Sequence, residues 1–141
     1  MLAAEEAAVR RNPADALARF NLGLVRLNTA NNAAAAAAAQ FLESLRLDSK
    51  QDRPHYNLAM VAKPEGRWDE ARREFEPALA IHPNNPRVHW NLGLRLADLQ
   101  ELDEAEKHFV TALRLDPGDA RAAEMIRRIR ESKASSAPAK R

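Results

Sequence analysis

The sequence predicts an all-α chain arranged as an α-solenoid of antiparallel helix pairs. Three observations carry this: a 34-residue period in small and apolar residues, an apolar stripe at helical spacing inside each period, and an alanine-rich, aromatic-poor composition. Phe41, Phe75 and Phe109 are 34 residues apart, as are Ala37, Ala71 and Ala105, then Leu45, Leu79 and Leu113, then Leu47, Ile81 and Leu115. Four independent columns sharing one spacing are a repeat. Within a block, Ala71, Phe75, Ala78 and Leu79 fall at i, i+4, i+7 and i+8, one face of a helix. The 141 residues allow one compact domain or a short solenoid. With 45% hydrophobic but only 5% aromatic residues, the core must come from close approach of small side chains, which favours helix packed on helix.

The elements follow in chain order. Residues 1–15 hold a helix over 2–11 closed by Asn12-Pro13, the second helix of a preceding block. It reads either as the end of a longer array or as an atypical, alanine-faced cap. Residues 16–51 form the first full block, 52–85 the second and 86–119 the third. The segments Asn21-Leu22-Gly23 and Asn57-Leu58-Ala59 are 36 apart, while Asn57 and Asn91 are 34 apart, so two extra residues belong in the turn Asn28-Thr29-Ala30-Asn31-Asn32. Gly23 and Gly93 lie mid-helix, where glycine costs roughly 1 kcal/mol, and they predict close approach of two helices. Pro83 and Pro117 stop second helices; Asp69 and Asp103 serve as N-caps or first-turn acids. Lys63-Pro64-Glu65-Gly66 predicts a turn that shortens a first helix, and Pro77 predicts a local bend in a second one. Residues 120–133 place Ala122, Met125, Ile126 and Ile129 on one face of a capping helix, and 134–141 read as a disordered basic tail.

The run Asn91-Leu92-Gly93, Leu102-Asp103-Glu104-Ala105, Phe109 and Ala112-Leu113-Arg114-Leu115-Asp116-Pro117 resembles a tetratricopeptide repeat almost throughout. Residues 52–85 resemble it nearly as well, through Trp68-Asp69-Glu70-Ala71, Phe75, Ala78-Leu79 and His82-Pro83-Asn84-Asn85. Residues 16–51 match more loosely, with Ser49 where the closing proline belongs. The resemblance implies a right-handed superhelix whose first helices line a concave surface.

On that surface three columns align. Asn21, Asn57 and Asn91 form an asparagine ladder; an amide both donates and accepts, so it can bridge the backbone of an extended peptide whatever its sequence. Phe20, Tyr56 and Trp90 form an aromatic column, and Leu24, Met60 and Leu94 an apolar one. Arg53 and Arg87 add a positive rim suited to acidic residues or a C-terminal carboxylate. The asparagines read either as ligand contacts or as packing between repeats, and the aromatics either as groove surface or as partly buried packing. The pattern departs from family members that clamp chaperone tails, which carry Lys where Phe20 stands, Asn where Leu24 stands, and Lys then Arg where Arg87 and Asn91 stand.

Chemistry-bearing patterns are sparse. There is no cysteine, and the four glycines form no phosphate-binding loop. No nucleophile has an activating neighbour in sequence, so no catalytic residues and no cofactor are expected. His55 and His89 read as packing residues rather than metal ligands, because packed helices stand about 8–10 Å apart while zinc ligands lie about 2 Å from one ion. His82 reads as a loop residue and His108 as a solvent-facing one. The acidic N-terminus lacks a leader pattern and no apolar tract spans a bilayer, which reads as a cytoplasmic chain. The net charge is +2, but residues 120–141 carry seven basic residues against Glu124 and Glu131. The sequence pI of about 9.3 therefore belongs to that end, whose contact with nucleic acid or a membrane is the weaker reading against a solvated cap. The leading expectation is a protein-interaction scaffold that holds an extended peptide or partner segment. Its alternatives are a structural array that self-associates through its solenoid ends, and the repeat fragment of a larger enzyme such as a repeat-bearing glycosyltransferase.

Overall fold

The structure is a computed structural model that describes residues 1–29 and 33–137. It resolves into two compact units, Met1–His82 and Pro83–Arg141, each built only of helices among the described residues.

The first unit contains α1 (Leu2–Arg11), α2 (Ala16–Leu27), α3 (Ala34–Leu47), α4 (Asp52–Ala62) and α5 (Trp68–Ile81). The second contains α6 (Pro86–Asp98), α7 (Leu102–Leu115) and α8 (Ala120–Ser136). Helices α2 with α3, α4 with α5, and α6 with α7 are the intimate pairs, each joined by a short connection. Each pair is centred on the periodic phenylalanine of its second helix: Phe41, Phe75 and Phe109 are all buried, beside the buried alanines Ala37, Ala71 and Ala105. Burying one such ring stabilises the fold by about 1.5–3 kcal/mol. In the first unit Phe20, Leu58 and Val61 complete the cluster around Phe41; in the second, Ile126 and Ile129 of α8 complete the one around Phe109.

The ends of the helices show their causes. Asp15, Asn85 and Asp119 are N-caps whose side chains accept from Ala18, Arg87, and both Arg121 and Ala122, respectively. Asp69 and Asp103 are first-turn acids, following Arg67 and Glu101 at the cap positions. Second helices end on Asn12, Asp48, His82 and Asp116, each out of the helical region. A following proline enforces this at three of them. After α4, Lys63–Glu65 forms a 3-10 turn that ends on Gly66 at φ 72°, a left-handed conformation that glycine adopts without strain.

Three boundaries bear on the sequence expectations. Helix α5 continues through Pro77 to Ile81. The turn assigned to the two-residue insertion falls partly on residues 30–32, outside the described residues. Helix α8 reaches Ser136 rather than ending at 133, because Lys133 pairs with Asp103 and Glu106 while the Ser135 and Ser136 hydroxyls donate to the carbonyls one turn back. The rest of the expected tail, 138–141, lies outside the described residues. No described helix is long and apolar enough to cross a membrane.

Candidate functional site

The candidate surface is built on the first helices of the pairs, and the glycines decide how closely those helices sit on their partners. A Cβ placed on Gly23 would lie 2.6 Å from the Phe41 ring, and one on Gly93 would lie 2.9 Å from the Phe109 ring. In the middle pair the same position is Ala59, fully buried. Its methyl accompanies a wider aromatic pair: Tyr56–Phe75 centroids are 6.2 Å apart, against 5.7 Å for Phe20–Phe41 and 5.2 Å for Trp90–Phe109.

In the first unit, Asn57 is half-buried and its Nδ2 donates to the Arg53 carbonyl oxygen at 2.9 Å, one turn back on α4. That bond fixes the amide plane while leaving Oδ1 and a second N–H to be used. Asn21 and Leu24 line a groove of about 450 Å³ between α1 and α2 together with Glu5 and Val25. Tyr56 and Met60 are half-buried on α4. Phe20 is different: at 1% exposed it offers no surface to a ligand, being packed on Phe41 on one side and covered by the Arg53 guanidinium 4.6 Å from its centroid. The aromatic column at this position is core, and the exposed arginine is its outer face.

In the second unit the arrangement recurs. Asn91 Nδ2 donates to the Arg87 carbonyl oxygen at 2.8 Å, but the residue is only 4% exposed. Trp90 is half-buried, edge-on to Phe109 and capped by the Arg121 guanidinium at 4.9 Å. Leu94 packs against the Phe109 cluster while Arg87 stays exposed. Arg53, Arg87 and Arg121 are 34 residues apart. Arg121 thus belongs to the arginine column, although the sequence reading placed it with the basic end; the same 34-residue register identifies it. Stacking on an aromatic face holds the planar fork of Arg53 or Arg121 at low entropic cost and leaves its edge N–H groups directed outward. Arg121 already pairs with the carboxylate of Asp119.

The histidines pack. His55 Nδ1 lies 2.7 Å from Glu74 Oε2, and His82, exposed at the end of α5, lies 3.2 Å from Asp52. His108, expected in solvent, is half-buried with its Nδ1 3.0 Å from His89 Nδ1. His89 Nε2 donates to the Pro83 carbonyl at 2.9 Å, so in the neutral pair His108 Nδ1 is the donor to His89. Burial and the neighbouring His89 hold the His108 pKa below its ordinary value. Among the described residues no group of three or more metal-ligating side chains converges.

Comparison with known proteins agrees with this architecture. Two tetratricopeptide repeat family models match, one over residues 2–52 and the other over 65–129. The chain belongs to the tetratricopeptide repeat family. Its fold class, an all-α solenoid of helix pairs, is also that of the similar solved structures. A crystal structure of MamA matches at 19% identity with a TM-score of 0.80, over 94% of this chain and 77% of that one. The first repeat domain of Spaghetti (RPAP3), bound to an HSP90 peptide, matches at 20% identity and TM-score 0.73, over 84% and 93%. The Yersinia enterocolitica type III secretion chaperone SycD, in complex with a peptide of the translocator YopD, matches at 20% and 0.71, over 82% and 92%. Such identities establish the fold alone. A search of curated protein sequences finds no significant match.

Proposed function

We propose that this chain is a protein-interaction module that holds an extended peptide against its first helices. The observation that carries the reading is the paired device on α4. Asn57 is oriented by its own helix and keeps an unused acceptor and donor, beside an arginine whose guanidinium lies over the Phe20 ring. An oriented amide recognises peptide backbone, and a stacked guanidinium recognises a carboxylate bidentately. Arg121 over Trp90 repeats the cationic half of the device on α6 and α8. In the first unit Tyr56, Met60 and Leu24 supply adaptable apolar contact, and Asn21 a further amide in the groove beside α1; in the second unit Leu94 supplies such contact. The peptides bound in the similar Spaghetti and SycD structures support the general class. The ligand class that fits is an extended segment carrying acidic side chains or a free C-terminus.

The test is an array of extended peptides, acidic and neutral, probed with the wild type and with Arg53→Ala/Asn57→Ala. Both residues lie outside the core, so helicity should be retained. Acid-bearing peptides bound by the wild type and lost by the variant support the reading. Equal capture by both proteins, or no peptide bound by the wild type, refutes it.

A further inference from the structure

Hydrogen bonds at the helix ends fix one register for all the second helices. Asn12 N donates to the Ala8 carbonyl at 3.0 Å, as Asp48 does to Ser44, His82 to Ala78 and Asp116 to Ala112, each at 2.9 Å. Three residues before those acceptors stand Phe41, Phe75 and Phe109, and on α1 the matching residue is Glu5. The first helices share a register through their N-caps Asp15, Gln51, Asn85 and Asp119. Eight residues past those caps stand Gly23, Ala59 and Gly93, and on α8 the matching residue is Arg127. In the glycine-bearing pairs these two positions meet as ring edge against glycine. Among the described residues, helices α1 and α8, one in each unit, have no pair partner, and they carry a carboxylate and a guanidinium at the two meeting positions.

The neighbouring positions agree. Arg19 meets Gln40, His55 meets Glu74 and His89 meets His108 across the internal pairs. On α8 and α1 the same positions are Ala123 and Ala4, two small side chains that permit close approach. The receiving surface exists: α7 and α8 leave an open groove of about 700 Å³ whose apolar floor includes Val110, Leu113, Ala123 and Ile126, with Arg127 and Arg130 along it. Val110 is 42% exposed there. Arg127 now pairs with Glu124 and Glu131, and Arg128 reaches Glu124 at 3.4 Å, so an incoming Glu5 would meet two guanidiniums and two carboxylates and must take over part of the Arg127 fork from Glu124 and Glu131.

We propose that α1 of one copy pairs with α8 of a second copy in the geometry of the internal helix pairs, with Glu5 seated on Arg127. The contact joins unlike surfaces, so each copy keeps one donor and one acceptor end. The charge pair sets the register, and burial of alanine, valine, leucine and isoleucine surface supplies the attraction. Glu5 shares the α1–α2 groove with Asn21 and Leu24, whereas Arg127 is not among the residues offered for peptide contact, so association lost in Arg127→Glu with peptide capture kept separates the two readings.

The experiment is sedimentation velocity on the full chain from about 10 μM to about 1 mM, the range in which a contact of this kind is measured. The wild type should associate with rising concentration. Glu5→Arg opposes two arginines and Arg127→Glu opposes two glutamates, so each variant alone should associate at least about tenfold more weakly. Mixed in equal amounts, the two variants present Arg against Glu at one junction and Glu against Arg at the next, and association should return. A wild type that stays monomeric throughout, single variants that associate like the wild type, or a mixture no better than its components would each overturn the proposal. Circular dichroism should show both variants as helical as the wild type, since neither side chain belongs to the core.

Discussion

Replacing a mid-helix glycine by alanine ordinarily stabilises a helix by about 1 kcal/mol, and here the opposite should happen. At Gly93 the added methyl would sit 2.9 Å from two atoms of the Phe109 ring, and at Gly23 it would sit 2.6 Å from the Phe41 ring. Carbon atoms prefer separations of about 3.5–4.0 Å, so both rings or both backbones must shift by several tenths of an ångström or more. Overpacking of this kind costs about 1–3 kcal/mol. Against the propensity gain, Gly93→Ala should be net destabilising by up to about 1 kcal/mol and Gly23→Ala by about 1–2 kcal/mol, the closer approach giving the larger loss. The reverse change, Ala59→Gly, loses about 1 kcal/mol of propensity and opens a methyl-sized gap worth about 1 kcal/mol more. Urea unfolding followed by circular dichroism reads all three as midpoint shifts. An increase in stability for Gly23→Ala would refute the close-approach account, because the helix would then be responding to propensity alone.

Arg121→Ala removes the cation from the face of Trp90 and its pair with Asp119; in a Trp68→Phe background the tryptophan emission should shift to the red, with about 0.5–1 kcal/mol of stability lost. His108 titrates below its ordinary value in the folded chain, so its neutral form is the stabilised one. Its contribution is complete above the unfolded pKa of about 6.5 and is lost as pH falls below it, so His108→Gln should flatten the urea midpoint between about pH 7.5 and 5. Asp103 is held below its ordinary pKa by a hydrogen bond from Lys133, and Glu106 by hydrogen bonds from Arg130 and Lys133. Lys133→Ala should therefore release Asp103, leave Glu106 on Arg130, and fray the last turn of α8, read as faster amide exchange over residues 134–136, with little change in global stability.

The period, the helix pairs and the phenylalanine core were legible because a 34-residue repeat with an i, i+4, i+7 stripe leaves one way to bury its face. The glycines also spoke clearly, since a mid-helix Gly needs a reason and Phe41 and Phe109 supply it. Periodicity could place Phe20, Tyr56 and Trp90 in one column but could not give their depth. Depth depends on what lies above each ring, and Arg53 covers Phe20. The same register held Arg121, yet net charge drew it into the basic end instead. Asn91 and Asn57 share a column and the same backbone hydrogen bond, while one is buried and the other half-exposed. His108 escaped for a similar reason: its partner His89 lies 19 residues away on another helix, a contact no local pattern reports.

The central claim is that the first-helix face of α2 and α4 takes an extended, acid-bearing peptide. Nitrogen-15 amide spectra of the chain, titrated with pooled unstructured heptapeptides ending in a free acidic residue, test it most directly. The account predicts shifts concentrated at Asn21, Leu24, Arg53, Asn57 and Met60, weakened by Arg53→Ala. Shifts confined to the outer faces of α3 and α5, or no shifts at millimolar peptide, would contradict it.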